Sequence, residues 1–284
     1  MKKLFGFEFH KLFSRVSLYI LMAVCVILVL LNVAMPNMLN GMFDTMGENA
    51  DEILEVFGFS VNSTADVFIV KAIDSGNMQL LLAILIAMII TQDYSENTLK
   101  NILSRGFRRE SVYVTKLIIC CAVAVVMGII GMIVSWIAGT VMYSASARGL
   151  AELLPLLLTQ LLVLVTISAF YVLIAVFTHR IGAALAIGIV STQMIPLLTQ
   201  GIDLAFDYFH IRFHLTDYNV FNFPAALAKT PALTGNADAP LTPMLQMFST
   251  SVSNETIITC AVCSVVWLCL FIVLGWFSAK KQEI

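Results

Sequence analysis

Charge is scarce in this chain. Asp, Glu, Lys and Arg make up 12% of its 284 residues, against 60% hydrophobic ones. Soluble domains carry about 25% charged residues. The apolar residues also fall in long uncharged blocks rather than in amphipathic patterns, and mean hydropathy is +0.92. A block of about 20 such residues crosses a bilayer as a helix. The shortage of charge excludes a soluble globular domain and predicts an all-α integral membrane protein.

Other absences narrow the function. The blocks contain no acidic or basic residue, whereas ion-coupled carriers place ionisable groups at mid-membrane. A secondary transporter and an ion pump are therefore disfavoured. No Gly-x-x-x-x-Gly-Lys-[Ser/Thr] loop is present, so no nucleotide phosphate is cradled by this chain in the usual way. Neither His-Glu-x-x-His nor Gly-x-Ser-x-Gly occurs, and an intramembrane enzyme lacks a catalytic set. All six cysteines lie inside apolar blocks, as free thiols acting as small hydrophobes do. Cys260 and Cys263 share a helical face but lack the further ligands a metal needs. No metal, no cofactor and no nucleic-acid partner is expected for the chain itself.

What is present is six uncharged blocks, at 16–35, 76–92, 117–147, 153–178, 181–202 and 256–279. Backbone groups in lipid must bond within their own segment, so each is expected to be a helix. The first is too long for a signal-peptide core, and no small-residue cleavage site follows it. Segments 36–75 and 203–255 would then lie together on one side of the membrane. The second of these is rich in aromatics, either as short helices dipping into the leaflet or as a folded cap with interfacial anchors.

Twelve of the sixteen basic residues fall on the side that holds both termini. The positive-inside rule makes that side cytoplasmic. The expected protein is a multi-pass single domain over 1–284, with both termini in the cytoplasm.

Two short segments stand out on the basic side. Residues 1–15 place Phe5, Phe9, Leu12 and Phe13 on one helical arc, with Lys3, Gly6, His10, Lys11, Ser14 and Arg15 on the other. This predicts an interfacial helix with Phe5, Phe9, Leu12 and Phe13 in contact with lipid and its polar side in water. The alternative is a charged, frayed start to the first span. The second segment joins the second and third spans. Asp93 or Ser95 is placed to cap a helix, and Leu99, Ile102 and Leu103 repeat at i, i+3, i+4. Gly106 stands where such a helix stops, with Arg105 in its last turn. A ridge one residue wide needs a cover, and lipid headgroups or a cytoplasmic partner would both serve.

The stretch SENTLKNILSRGFRRESVYVTKLI, Ser95–Ile118, resembles the cytoplasmic coupling segment of ABC-2 type permeases, particularly those of the bacitracin-resistance and lantibiotic-immunity kind. Glu96, Thr98, Leu99, Leu103, Ser104, Arg105 and Gly106 fit that family's pattern. Asn97 stands where many relatives carry glycine. The resemblance implies a coupling helix between spans two and three that seats in a separate ABC ATP-binding subunit. Glu96, Thr98 and Arg105 would be its polar contacts, and Leu99, Ile102 and Leu103 its apolar key. ATP and Mg would be bound by that subunit alone. A second permease chain, identical or not, would complete a bacterial cell-membrane exporter for an amphipathic substrate such as an antimicrobial peptide or drug. The competing reading is a non-transporting sensor or scaffold whose cytoplasmic loop binds another partner.

Overall fold

The computed structural model describes residues 2–46, 72, 76–95, 102, 104, 106–143, 150–209, 213–228 and 254–281. The principal helices are α1 (Lys2–Phe13), α2 (Val16–Met46), α3 (Gly76–Ser95), α4 (Arg109–Tyr143), α5 (Leu150–Thr178), α6 (Ile181–Tyr208), α7 (Phe223–Ala228) and α8 (Asn254–Lys281). A 3-10 turn, Leu215–Tyr218, precedes α7. No strand occurs among the described residues.

Among the described residues, five helices are long and apolar enough to cross a membrane: α2, α4, α5, α6 and α8. The apolar part of α3, Met78–Tyr94, is shorter. Its 20 helical residues nevertheless rise about 30 Å, the thickness of the hydrocarbon core. The described residues of the six expected spans are therefore all helical. Their ends differ from the uncharged blocks. Helix α4 starts at Arg109 rather than 117, and Lys116, ahead of the block, pairs with Asp93 of α3. Helix α2 runs on to Met46 and α6 to Tyr208.

Helix α5 is the centre of the bundle, packed by α8, α4, α3 and α6. Lipid tails are as apolar as leucine, so contact here is stabilised by close packing rather than by escape from water. Small residues supply it. Gly188 of α6 passes α3 so closely that a Cβ there would lie 3.3 Å from the Ala83 Cβ. Tyr113 of α4 lays its phenol over Gly275 of α8, leaving no room for a methyl group.

At the far end, Asp203 of α6 accepts hydrogen bonds from the backbone N–H of Leu215 (2.6 Å) and Thr216 (2.8 Å) and from the Thr216 hydroxyl. The Trp267 indole N–H donates to the Tyr218 carbonyl at 2.9 Å. These bonds hold α7 against α5 and α8, with Phe223 and Leu227 fully buried. The described part of the aromatic segment thus contains a short helix packed against the bundle. Segment 36–75 lies outside the described residues beyond Met46, apart from Ala72.

Candidate functional site

Helix α1 ends at a corner. The Ser14 N–H and hydroxyl both donate to the His10 carbonyl, at 3.1 and 2.8 Å. The Arg15 N–H reaches back to Leu12 (3.1 Å), and Leu18 N–H to Arg15 (3.2 Å). The Tyr19 hydroxyl donates to the Phe13 carbonyl at 3.0 Å. These bonds satisfy terminal carbonyls that a helix end leaves open and let α2 leave in a new direction.

The corner lays α1 on the bundle with a stripe at i, i+4, i+8 facing inward: Leu4, Glu8 and Leu12 are all buried. Phe5, Phe9 and Phe13 form the neighbouring stripe. They stay exposed, with ring centroids 6.1 and 4.7 Å apart, and Phe7 is exposed beside them. Phe5, Phe9 and Phe13, three of the residues expected to meet lipid, thus lie on the outside of the bundle. Leu12 is corrected: it packs in the protein core, because the face toward the bundle lies one step round the helix from the aromatic ladder.

On the polar side of α1, Gly6, His10 and Ser14 are exposed, whereas Lys11 and Arg15 are only partly so. Lys11 and Arg15 turn to Asp93 of α3, whose side chain is completely buried. Lys11 Nζ lies 2.5 Å and Arg15 Nη2 3.3 Å from Asp93 Oδ1. Lys116 Nζ of α4 pairs with Oδ2. Arg15 Nη1 also reaches the carbonyls of Met88 and Ile89, each at 3.4 Å. One carboxylate thus joins α1, the corner, α3 and α4. An ionised carboxylate in such a place persists only when paired and hydrogen-bonded, and this one is. Asp93 is not a helix cap; it sits within α3 and holds the joint.

Glu8 lies beside this hub and lines a narrow crevice with Lys11, Arg15 and Lys116. Among the described residues its Oε1 has no hydrogen-bond partner. Burial pushes its carboxyl above the ordinary value, with the Asp93 charge acting in the same direction and Lys116, Lys11 and Arg15 opposing it.

The joint continues into the segment that follows α3. Backbone at Ile102 and Ser104 is helical. Ile102 is buried against Leu4 of α1 and Val112 of α4, with Phe107 packed alongside. Ser104, two residues on and so on the other side of a helix, is exposed. Gly106 has φ +84°, the left-handed region that glycine enters without penalty, as expected of a helix stop. Arg108 then accepts through its carbonyl from the Ser111 and Val112 N–H groups (3.0 and 3.2 Å), starting α4. Glu96, Thr98, Leu99, Leu103 and Arg105 lie outside the described residues. Of the predicted apolar key, Ile102 is spent inside the chain.

On the other flank, Tyr94 meets His179 edge to face at 4.5 Å. A cavity of about 620 Å³ opens there, lined among others by Ser17, Thr91, Gln92, His179 and Arg180. Local sequence reasoning missed Glu8, Lys11, Arg15, Asp93 and Lys116 as a set. The signal available was an acid at the end of one apolar block and a base at the start of the next.

Residues 4–194 match the family model described as "ABC-2 family transporter protein". The match takes in α1, the whole charged joint and the chain as far as α6. No curated protein matches the chain.

Proposed function

The chain belongs to the ABC-2 family of transporter proteins, and from that membership we propose that it is the permease subunit of an ATP-driven exporter. That it is a membrane-embedded transporter protein follows from the family and the apolar helices. Its finer role rests on the joint. Ile102, in the stretch between α3 and α4, packs on Leu4 of α1 and Val112 of α4. Asp93 ties the same three helices together by charge. A push on this segment therefore moves three elements as one, which is what a force-transmitting contact requires. This observation supports the coupling role.

In this reading a separate ATP-binding subunit seats on this chain at Ser104, which is exposed. Ile102 acts by holding the segment on α1 rather than by touching the partner. ATP and Mg belong to that subunit, and this chain carries no catalytic step. The basic end of the bundle faces the cytoplasm of a bacterial cell, as the lysine and arginine bias favours.

A second permease chain is supported by α6. Gln193 and Gln200, one heptad apart, are exposed among Val190, Leu197 and Leu204. An amide facing hydrocarbon without a partner is costly, and hydrogen bonding across paired helices removes that cost. For the substrate, the apolar bundle and the acidic residues of segment 36–75 favour a cationic amphipathic peptide or drug of the kind handled by bacitracin-type exporters. Deleting the chain is then expected to sensitise cells to such compounds, and unchanged sensitivity across a panel removes that substrate class.

The test of the coupling role is purification of the tagged chain in mild detergent, beside a variant carrying Glu96→Arg and Leu99→Arg. An ATP-binding subunit that accompanies the wild type and is lost from the variant supports the exporter. A well-folded chain recovered with no such subunit favours a sensor or scaffold instead.

A further inference from the structure

The cavity of about 620 Å³ beside Tyr94 and His179 is built from helix ends. Ser17 comes from the first turn of α2, Thr91 and Gln92 from the last turns of α3, and His179, Arg180, Ile181 and Gly182 from the corner between α5 and α6. Its size falls in the range of about 300–1,000 Å³ usual for ligand sites. Among the described residues no acid lines it. Arg180 on its wall is exposed and, among the described residues, has neither a side-chain hydrogen bond nor an ion pair. Thr91, by contrast, gives its hydroxyl to the Ala87 carbonyl at 2.6 Å.

The corner that carries Arg180 is held in place. His179 has φ +54°, a left-handed conformation uncommon in residues other than glycine. Its N–H donates to the Ala175 carbonyl at 3.2 Å, its Nδ1 lies 3.1 Å from the Phe177 carbonyl, and its ring meets Tyr94 of α3. Arg180 therefore stands at a fixed point on the cavity wall. The Asp93 carboxylate gathers α1, the corner before α2, and α4, but among the described residues none of its partners comes from α5 or α6. A subunit pressing at Ser104 alone thus has no contact of its own with the α5–α6 corner.

We propose that this cavity receives an acidic side chain of the ATP-binding subunit, its carboxylate paired with the Arg180 guanidinium. The inference rests on the exporter reading and adds a second point of contact to it. Continuity favours this occupant, because Thr91 and Gln92 belong to the end of α3 that leads into the stretch bearing Ser104. Charge favours it too, since a guanidinium without a partner offers a fork of donors that matches a carboxylate. Through this pair the subunit acts directly on the first turn of α6, the helix whose exposed glutamines support a second permease chain. A lipid phosphate is the competing occupant.

The experiment is binding of the purified ATP-binding subunit to the purified chain in lipid nanodiscs. Arg180→Glu is expected to weaken binding at least about tenfold, because it sets like charges together, and Arg180→Lys to keep most of it. Lys280→Glu, a reversal at the exposed end of α8, should leave binding unchanged. Gly182 has open space around it, so a photoreactive amino acid fits there and reports the occupant. The expected adduct is with the ATP-binding subunit, on a peptide holding an Asp or Glu whose change to Lys restores binding to Arg180→Glu. Binding by Arg180→Glu equal to the wild type overturns the contact and leaves the exporter reading intact, and so does an adduct confined to lipid. Equal losses in Arg180→Glu and Lys280→Glu show general charge attraction and also overturn it. Failure of any ATP-binding subunit to bind the wild type overturns the exporter reading, and this contact with it.

Discussion

Lys11 and Asp93 lie 82 positions apart in sequence and 2.5 Å apart in space. This contact fixes α1 to the end of α3, and with Lys116 and Arg15 it makes one carboxylate the meeting point of three helices. Replacing Asp93 by Asn leaves three cations facing a neutral amide. Removing one partner of a buried pair costs about 3–5 kcal/mol. Asp93→Asn is therefore expected to lower the unfolding midpoint in detergent markedly, and adding Lys116→Met should recover part of the loss. Equal midpoints for wild type and Asp93→Asn contradict the hub.

Glu8 gives a pH dependence of known sign. Its carboxyl sits above the ordinary 4.5 in the folded chain, through burial first and then the Asp93 charge. As pH rises through 4.5 the unfolded chain ionises first, so folded stability falls until Glu8 also ionises in the folded state. Glu8→Gln is expected to match the wild type near pH 4 and to be the more stable at pH 8. Thermal melts at the two pH values check this, and a stability difference that is the same at both is the opposing result.

Gly106 holds a left-handed turn with open space around its Cα. A substitution there is penalised by backbone conformation alone. Gly106→Ala should cost about 1–2 kcal/mol, and Gly106→Asn less, since Asn tolerates that region. Chemical unfolding of the two variants measures the order, which a crowding effect would reverse.

The exposed amides of α6 predict a symmetric contact if the second permease chain is identical. A single cysteine at Gln193 in a background without the six native thiols should cross-link to its counterpart under mild oxidation. The same cysteine at Phe177, exposed on α5, should not. Failure of the Gln193 pair while the complex stays dimeric places the interface on another helix.

The spans were legible in the sequence because lipid solvation acts on every residue of a block, so each block records its own environment. Gly106 was legible for a similar reason: a helix stop is a local event. The charged joint was not. Lys11 and Arg15 look like the solvated side of an amphipathic helix, and only the approach of α3 gives them Asp93. Ile102 belongs to a ridge whose period is plain, yet its cover is Leu4, 98 positions away. Periodicity shows that a face will be buried, and tertiary packing decides what buries it. Leu12 differs from Phe9 and Phe13 for the same reason.

The measurement that bears most directly on the coupling role is photo-cross-linking from two neighbouring positions. A photoreactive amino acid replaces Ser104 in one chain and Ile102 in another, each assembled in membranes with its ATP-binding subunit. The exposed side of the segment faces that subunit in this account, and Ile102 faces α1. Position 104 is expected to give an adduct with the ATP-binding subunit, and position 102 an internal adduct only. An intact assembly with no adduct from position 104, or with one from position 102 instead, contradicts it.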